Sequence, residues 1–473
     1  MNFKFFLLIF LNISLATVAG AQVKTVYLSD FGAVANDNRS DHAAFNKASD
    51  YINKRKGNTR LVITGGKYVV GVLPKYSSEQ NIPTGAITIN DVMHLENCSN
   101  IIIEGRGSVS IKFADGIPFG TLPDRKNVTD ISVHIGSLFR FINCTGITLL
   151  NLKTDGNNEK FKLLKPWGAG NNPYEREHEG LFILNCQEVK VSNVSFNGYG
   201  RDGAMILQDA DKIPVKNIFF TNCSFNNNGR DGFSWCGGKN VNFYNCFFKN
   251  NSVGKIQTNP GSGLDIEPER NALCENGKII NCEFSGNGGY ALTSGYATAS
   301  DVLFDGCTII GNTNYAMICQ SPKYTFNKCT IAGTCLLYYD AGKEADGTNF
   351  TNCTFADSVA KKKIYTLNYL VATLGRYIKF TNCDFYSYKV PVIYSEIKKE
   401  GGLNKKENTY YKNCSFAAYF MKPSTWQRHA FLVTNAIFDD CIFKTKGYAD
   451  FTYILADPGR NIYQEKSKFS DIR

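Results

Sequence analysis

Two carboxylates stand two residues apart in the segment 261–267, which reads Gly-Ser-Gly-Leu-Asp-Ile-Glu. Asp265 and Glu267 alternate with Leu264 and Ile266, so a strand here would place both acids on one face. Strand interiors disfavour acidic residues, and like charges on one face repel each other. Two carboxyl groups with separated pKa values can act as acid and as base or nucleophile, which is the chemistry that breaks glycosidic bonds. A bound Ca²⁺ would explain the pair equally well, because this cation prefers carboxylate oxygens.

Three earlier turns share a pattern of a basic residue, an acid and a glycine. They read His178-Glu179-Gly180, Arg201-Asp202-Gly203 and Arg230-Asp231-Gly232. If these turns stack, their carboxylates lie about 5 Å apart, and mutual repulsion raises some of their pKa values. The alternative is that the Asp-Gly pairs shape turns, with the arginines as their ion-pair partners.

These two patterns define the candidate site. The predicted catalytic residues are Asp231, Asp265 and Glu267. The predicted substrate contacts are Glu179, Arg201, Asp202, Arg230 and Arg270. In neighbouring insertions, Trp167 and Tyr174 could stack on sugar rings. The five histidines are dispersed without metal-ligand spacing, so no metal site is predicted.

The elements that would position these acids are predicted by a cysteine repeat. Nine of the sixteen cysteines recur in one phrase, from FTNCSF at Cys223 to FDDCIF at Cys441. With the related frames at Asn151 and Asn193, the intervals run from 22 to 42 residues. A repeat of this length, rich in β-branched and aromatic residues, predicts one turn of a β-solenoid with Asn at a left-handed corner.

The cysteines of stacked turns would point inward with parallel Cβ vectors, which is poor disulfide geometry. We therefore predict a ladder of buried free thiols. Cys98, Cys144 and Cys186 form a second series at another corner. Four cysteines fit neither series and could include one disulfide, namely Cys236, Cys274, Cys319 and Cys335.

The amino terminus has two parts with different predicted roles. Lys4, the apolar run 5–11 and the small residues 19–21 predict a signal peptide at 1–21, and therefore a secreted or periplasmic protein. Residues 22–75 are predicted to form a strand and helix cap, and residues 76–473 the coils of one domain. Ser40 and Asp41 would cap a helix that Gly57 ends, covering the open end of the solenoid. The formal charge of +10 is scattered, so nucleic acid is not a predicted partner.

The order Asp30-Phe31-Gly32-Ala33, Asp37, Asp41, helix, then Gly65-Gly66-Lys67-Tyr68 resembles the amino-terminal signature of the pectate-lyase-like superfamily. This resemblance implies a right-handed, single-stranded parallel β-helix with an amino-terminal capping helix. The superfamily contains hydrolases, lyases, epimerases and non-enzymes that bind or process polysaccharides. The polygalacturonase motifs Asn-Thr-Asp, Gly-Asp-Asp, Gly-His-Gly and Arg-Ile-Lys are missing from the corresponding coils, as is the Arg-x-Pro-x-x-Arg stretch of pectate lyases.

Three functions remain after this comparison of motifs. Hydrolysis of a polysaccharide by paired carboxylates, without a cofactor, is favoured. A polysaccharide lyase acting on a uronic-acid polymer, with calcium as its ion, is the nearest alternative. A non-catalytic glycan-binding or surface protein is the third, with the acidic pair binding an ion or stabilising a corner. No membrane partner is predicted, because no later segment has the apolar run that a transmembrane helix needs.

Overall fold

The computed structural model describes most of the chain, and everything below concerns those residues. They are 22–71, 87–122, 131–163, 175–209, 212–295, 298–312, 315–359, 364, 369–397, 405–419, 431–433, 435–445, 463–465 and 467–471. Half-buried strands dominate, and nearly all of them pair in parallel with strands one coil away. This arrangement confirms the predicted right-handed parallel β-helix.

The longest sheet contains fifteen strands within the described residues and runs the length of the helix. We call it the first sheet. Its strands are Lys24–Tyr27, Gly57–Val70, Ser99–Phe113, Thr145–Asp155, Gln187–Asn197, Lys216–Thr221, Gly238–Tyr244, Cys274–Ile280, Ala299–Asp305, Thr325–Asn327, Asn349–Thr351, Lys379–Thr381, Thr409–Lys412, Ala436–Asp439 and Tyr463–Glu465.

Twelve described strands form the second sheet, which carries the candidate site. They are Met93–Glu96, Phe139–Ile142, Leu181–Leu184, Ala204–Leu207, Phe233–Trp235, Leu264–Ile266, Leu292–Ser294, Met317–Cys319, Cys335–Leu337, Val371–Thr373, Ile393–Ser395 and Phe431–Val433. In the eleven strands from Met93–Glu96 to Ile393–Ser395, the first and third residues are buried, so the residue between them lies on the outer face.

A third sheet of nine described strands closes the triangular coil from residue 247 onward. Its strands are Phe247–Lys249, Glu283–Ser285, Thr308–Ile310, Thr330–Ala332, Thr354–Ala356, Asp384–Ser387, Ser415–Ala418, Ile442–Thr445 and Lys468–Asp471. A small side sheet contains Ile87–Ile89, Pro118–Leu122, Ile131–Ile135 and Lys162–Leu163. Short 3-10 helices span Leu28–Phe31, Asn158–Lys160, Glu344–Asp346 and Lys405–Glu407.

The amino-terminal helix runs from His42 to Arg55 and buries Phe45, Ala48 and Ile52 completely, as its apolar stripe predicts. Asp41 is the N-cap residue, as predicted, and the hydroxyl of Ser40 accepts the N–H of His42 at 3.4 Å. The carboxylate of Asp41 does not cap the helix, because it accepts the N–H groups of two other segments, at residues 34 and 69. The helix ends at Lys56 in a left-handed conformation, and Gly57 already begins the next strand. None of the described helices is long and apolar enough to cross a membrane.

The repeated phrase forms the corner that follows nine successive strands of the first sheet, from Lys216–Thr221 to Ala436–Asp439. All nine residues before the repeat cysteines have positive φ, including Asn222 at 52° and Lys328 at 50°. Asparagine side chains bond to each other along this corner, as from Asn245 to Asn222 at 3.2 Å. The left-handed corner predicted from the sequence is therefore present, and the few non-asparagine residues adopt it because the neighbouring coils fix it.

All sixteen cysteines are buried and free, which confirms the predicted thiol ladder and excludes the disulfide left open above. The prediction that Cys274 belongs to neither cysteine series was wrong. Cys274 pairs in register with Gly238, which follows Val215 and Cys186 in the same column, so Cys274 extends the second series. An insertion before residue 274 hides this register in the sequence. Cys319 and Cys335 occupy core positions of the second sheet.

Candidate functional site

Asp265 lies in the middle of the strand Leu264–Ile266, on the outer face of the second sheet. Its neighbours Leu264 and Ile266 are fully buried in the core, so the predicted alternation is present. Only 6% of Asp265 is exposed, although it faces outward. Its carboxylate makes no hydrogen bond to the described residues. On the two neighbouring strands, the outer residues in register with Asp265 are Ser234 and Thr293.

Glu267 follows this strand by one residue and is half-buried. Its backbone N–H donates to the carbonyl of Trp235 at 3.0 Å, which continues the coil-to-coil bonding beyond the strand. Burial is the main cause of the raised pKa of Asp265, and the charges of Asp231 and Glu267 add to it. Asp265 and Glu267, which are predicted to act together, are therefore close neighbours in the structure.

A dense network joins Arg230 to three carboxylates. Its Nη2 lies 2.5 Å from Oδ2 of Asp202, and its Nε lies 2.8 Å from Oδ1 of the same residue. The Nε also lies 3.4 Å from Oδ2 of Asp231, and Nη1 lies 3.1 Å from Oε1 of Glu175. The hydroxyl oxygen of Ser234 lies 3.0 Å from Oδ2 of Asp202 and 3.3 Å from Oδ2 of Asp231, and donates to these carboxylates. Asp202, Asp231 and Ser234 are almost completely buried.

The same aspartates also hold the backbone of the next coil. Oδ1 of Asp202 accepts the N–H of Asp231 at 3.1 Å, and Oδ1 of Asp231 accepts the N–H of Ser262 at 2.5 Å. Both carboxylates therefore have a structural part in the corner, as the alternative interpretation of the sequence predicts. Asp265 has no such part.

The three central carboxyl groups are in different electrostatic states. Burial alone would raise the pKa of Asp202, but the charge and hydrogen bonds of Arg230 hold it below its usual value. Burial raises the pKa of Asp231, and the Asp202 charge adds to this effect against the opposing Arg230. Burial also raises the pKa of Asp265 well above its usual value, with further contributions from Asp231 and Glu267. The site thus places an ionised carboxylate beside carboxyl groups that favour the protonated form.

One coil earlier, Glu179 and Arg201 form a related but weaker pair. Their closest atoms, Oε1 and Nη1, are 3.4 Å apart, and Oε2 of Glu179 accepts the hydroxyl of Ser137 at 3.1 Å. Burial raises the pKa of Glu179 to about 7, against the lowering effect of Arg201. Successive coils carry Glu179, Asp202 and Asp231 at equivalent positions. The backbone carbonyl of each residue accepts an N–H from the corresponding position of the preceding coil.

An apolar cluster lies on the outer face beside the acids. It consists of Phe182, Met205, Leu207 and Cys236, with Leu184 packed against it. The guanidinium of Arg140 lies 4.1 Å from the ring centroid of Phe182. Phe182 and Met205 precede Ser234 and Asp265 in one column of the outer face. This apolar neighbourhood helps to explain why burial dominates the pKa of Asp265.

Two sequence expectations differ from the structure. Arg270 does not join the site, because its side chain is half-exposed and pairs with Asp209 at 2.6 Å. His178 belongs to the first of the three predicted turns, but it is completely buried among aromatic rings, and its Nδ1 accepts the N–H of Gly200 at 2.8 Å. Burial lowers the pKa of His178 to about 3, so the ring stays neutral. The predicted stacking residues at positions 167 and 174 lie outside the described residues.

Sequence reasoning missed Ser234 and Glu175. Ser234 could have been found, because it occupies the same position of its strand as Asp265, two residues after the recurring Asp-Gly turn. Glu175 lies in an insertion with no repeat to place it, so its contact with Arg230 carries no sequence signal. Within the described part of the chain, no cluster of three His, Cys, Asp or Glu side chains could hold a metal ion.

Comparison with known proteins supports the fold. Residues 179–267 match the family described as right handed beta helix region, and this stretch contains Glu179, Asp202, Asp231, Asp265 and Glu267. The A-module of the mannuronan C-5 epimerase AlgE4 of Azotobacter vinelandii is 13% identical over 94% of this chain and 99% of that one, with a TM-score of 0.50. The AlgE6 A-module gives 13% identity, 94% and 100% coverage, and a TM-score of 0.51.

A viral protein shares the fold to a similar degree. The amino-terminal fragment of bacteriophage Phi29 gene product 12 is 12% identical over 93% of this chain and 71% of its own, with a TM-score of 0.54. No curated protein matches the sequence. The right-handed β-helix fold that the sequence resemblance implies is therefore confirmed.

Proposed function

We propose that this chain is a secreted enzyme that acts on a polysaccharide and hydrolyses its glycosidic bonds by acid–base catalysis at Asp265 and Glu267. The observation that carries the proposal is Asp265, a nearly buried carboxyl group on the outer sheet face that has no hydrogen-bond partner among the described residues. Burial of an unpaired carboxyl group costs stability, and carboxyl groups with strongly raised pKa values are concentrated at functional sites. The likeness to epimerase A-modules, which process a polysaccharide on the same fold, agrees with this substrate class.

Each acid has a distinct role in this proposal. Asp265, whose pKa burial raises well above its usual value, donates its proton to the leaving glycosidic oxygen. Glu267 is the partner that activates water or attacks the sugar, and the spacing of about 7 Å between alternate residues of a strand leaves room for the scissile bond. Asp231 is a positioning residue in place of a catalytic one, because both of its oxygens are bonded to Ser262 and to the Arg230–Ser234 network.

Substitution of the two acids tests the proposal. Asp265→Asn and Glu267→Gln should each lower kcat by about 10²–10⁴-fold, because each removes one proton-transfer group. The assay is release of reducing ends from a panel of plant, algal and host glycans, with products separated by length. Asp301→Asn is the matched control, since Asp301 is exposed on the first sheet and has a positive φ that Asn tolerates.

Thermal melting checks that the variants fold, and Asp265→Asn should not lower the melting temperature because no hydrogen bond is lost. Activity at the native level in both variants would exclude these acids from the mechanism. An unsaturated product that absorbs ultraviolet light would instead indicate β-elimination, the lyase alternative. Retention of oligosaccharides without cleavage of any polymer would indicate a binding protein.

A further inference from the structure

A cleft separates the amino-terminal helix from the first strands of the second sheet. Its volume is about 640 Å³, within the range of small-molecule sites. The helix contributes Asn46, Ser49, Asp50 and Asn53, and the coils contribute Ile89, Asn90, Asp91, His94, Gly136, Arg140 and Glu177. The cleft is separate from the acidic site, because Arg140 and Asp265 stand four coils apart in the same outer column.

The wall of this cleft is rigid. Asn46 donates its amide N–H groups to the carbonyls of Asp91 and Val92 at 2.9 Å and 3.0 Å. Asn53 donates to the carbonyl of His94 at 2.8 Å. These bonds fix the helix against the edge strand, so the space between them does not collapse. The cleft is therefore preformed, and filling it costs little conformational entropy.

Ser49 is the polar group that the fold leaves unsatisfied here. Only 4% of this residue is exposed, and its Oγ has no hydrogen-bond partner among the described residues. It lines the cleft from the buried side of the helix. A buried hydroxyl without a partner costs about 1–3 kcal/mol, which a ligand hydroxyl in the cleft would recover.

The charges of the cleft define the ligand chemistry. Asp50, Asp91 and Glu177 provide three carboxylates, and Arg140 is the fixed cation among the lining residues. Asp91 is already engaged, at 3.1 Å from His94 Nδ1 and 3.7 Å from Arg140 Nε. This excess of negative charge opposes an anionic ligand. Carboxylates with a serine hydroxyl suit a ligand that both donates and accepts hydrogen bonds, such as the hydroxyl groups of an uncharged sugar.

We propose that this cleft is a second sugar-binding site, which holds a sugar unit without a carboxylate at the helix-covered end of the second sheet. The inference rests on the proposed function, since it assigns part of the same polysaccharide to the cleft. The acidic site cleaves the glycan, and the cleft adds affinity for it four coils away. Because the helix covers the edge strand, the unit in the cleft is at an end of the bound segment.

The test uses the full chain with Asp265→Asn to prevent cleavage. Calorimetry measures its affinity for cellohexaose, mannohexaose, chitohexaose and hexagalacturonate. Adding Asp50→Trp fills the cleft from an exposed helix position, and should weaken the best neutral hexasaccharide at least tenfold. Lys47→Trp is the matched control, because Lys47 is exposed on the same helix but does not line the cleft. Its affinity should equal that of Asp265→Asn alone.

The outcomes separate the two proposals. Three results would overturn the inference about the cleft. They are equal affinities of the Asp50→Trp and Lys47→Trp proteins, tighter binding of hexagalacturonate than of every neutral probe, and no binding of any probe. None of these results affects bond cleavage by the native protein, which is measured separately. In the protein with Asp265 intact, Asp50→Trp should raise KM for the polymer and leave kcat unchanged. Loss of kcat in that variant would show that the cleft is part of the catalytic site.

Discussion

The second sheet contains two stretches with the same backbone and different outer residues. We call the coils that contain Glu179, Asp202, Asp231 and Asp265 the acidic coils. In them, the backbone carbonyls of Asp202 and Asp231 accept N–H groups from the preceding coil. Two coils farther on, the carbonyls of Tyr290 and Tyr315 make the same bonds at the same position. The corner therefore forms with or without a carboxylate. The acids of the first stretch are not a requirement of the turn, which weakens their purely structural interpretation.

The outer strand position shows the same contrast. In the acidic coils it holds Ser234 and Asp265, and in the following coils it holds Thr293, Ile318 and Leu336. The sheet register does not change between the two stretches. Because the backbone is shared, a difference in chemistry along this face must come from the side chains alone, and each substitution below tests one of them.

The largest effect on stability is expected from Arg230. Arg230→Met leaves Asp202 and Asp231 buried without their cation, and should lower the free energy of unfolding by about 3–5 kcal/mol. Urea unfolding measures it. The double variant Asp202→Asn with Arg230→Met removes both charges, and should recover at least about 1 kcal/mol of this loss.

Arg270→Met is the control for this prediction. Its ion pair with Asp209 is exposed, so the same substitution should cost less than about 1 kcal/mol. A double variant as unstable as Arg230→Met would mean that packing of the arginine side chain, and not its charge, holds the acidic coils together.

A smaller effect, visible as a pH dependence, is expected from Glu179. Its pKa is raised from 4.5 to about 7, so between these values the folded protein binds more protons than the unfolded chain. The free energy of unfolding therefore falls as pH rises through this window, by up to about 3 kcal/mol. Glu179→Gln should remove this part of the slope in urea unfolding at pH 5 and pH 7.

Glu275→Gln on the first sheet is the comparison, because Glu275 is half-buried beside Lys239. It should leave the slope of the native protein unchanged. Identical slopes in the native protein and Glu179→Gln would show that Glu179 titrates normally in the fold, and that the acidic coils do not hold it in its protonated form.

The difference between the two stretches was only partly predictable from the sequence. The column of Glu179, Asp202 and Asp231 follows from the repeat, because stacked coils convert equal spacing into neighbourhood. Burial did not follow, and His178 is the clearest case: its turn looks solvated, yet aromatic rings from distant coils enclose it. The cleft was also invisible, because the bonds from Asn53 and its neighbours to carbonyls some 40 residues away have no local signature.

The smallest effect on stability is expected in the coils that contain Tyr290 and Tyr315, which we call the tyrosine coils. The rings of Tyr290 and Tyr315 stack at 6.0 Å with an interplanar angle of 10°. Tyr290→Ala should cost about 0.5–1.5 kcal/mol of stability by removing this contact, whereas Tyr290→Phe keeps the ring and should cost less. If the chemistry is confined to the acidic coils, both variants retain the native kcat in the reducing-end assay. A fall in kcat as deep as that of Asp265→Asn would extend the catalytic site into the tyrosine coils, and the contrast between the two stretches would then lie within one site.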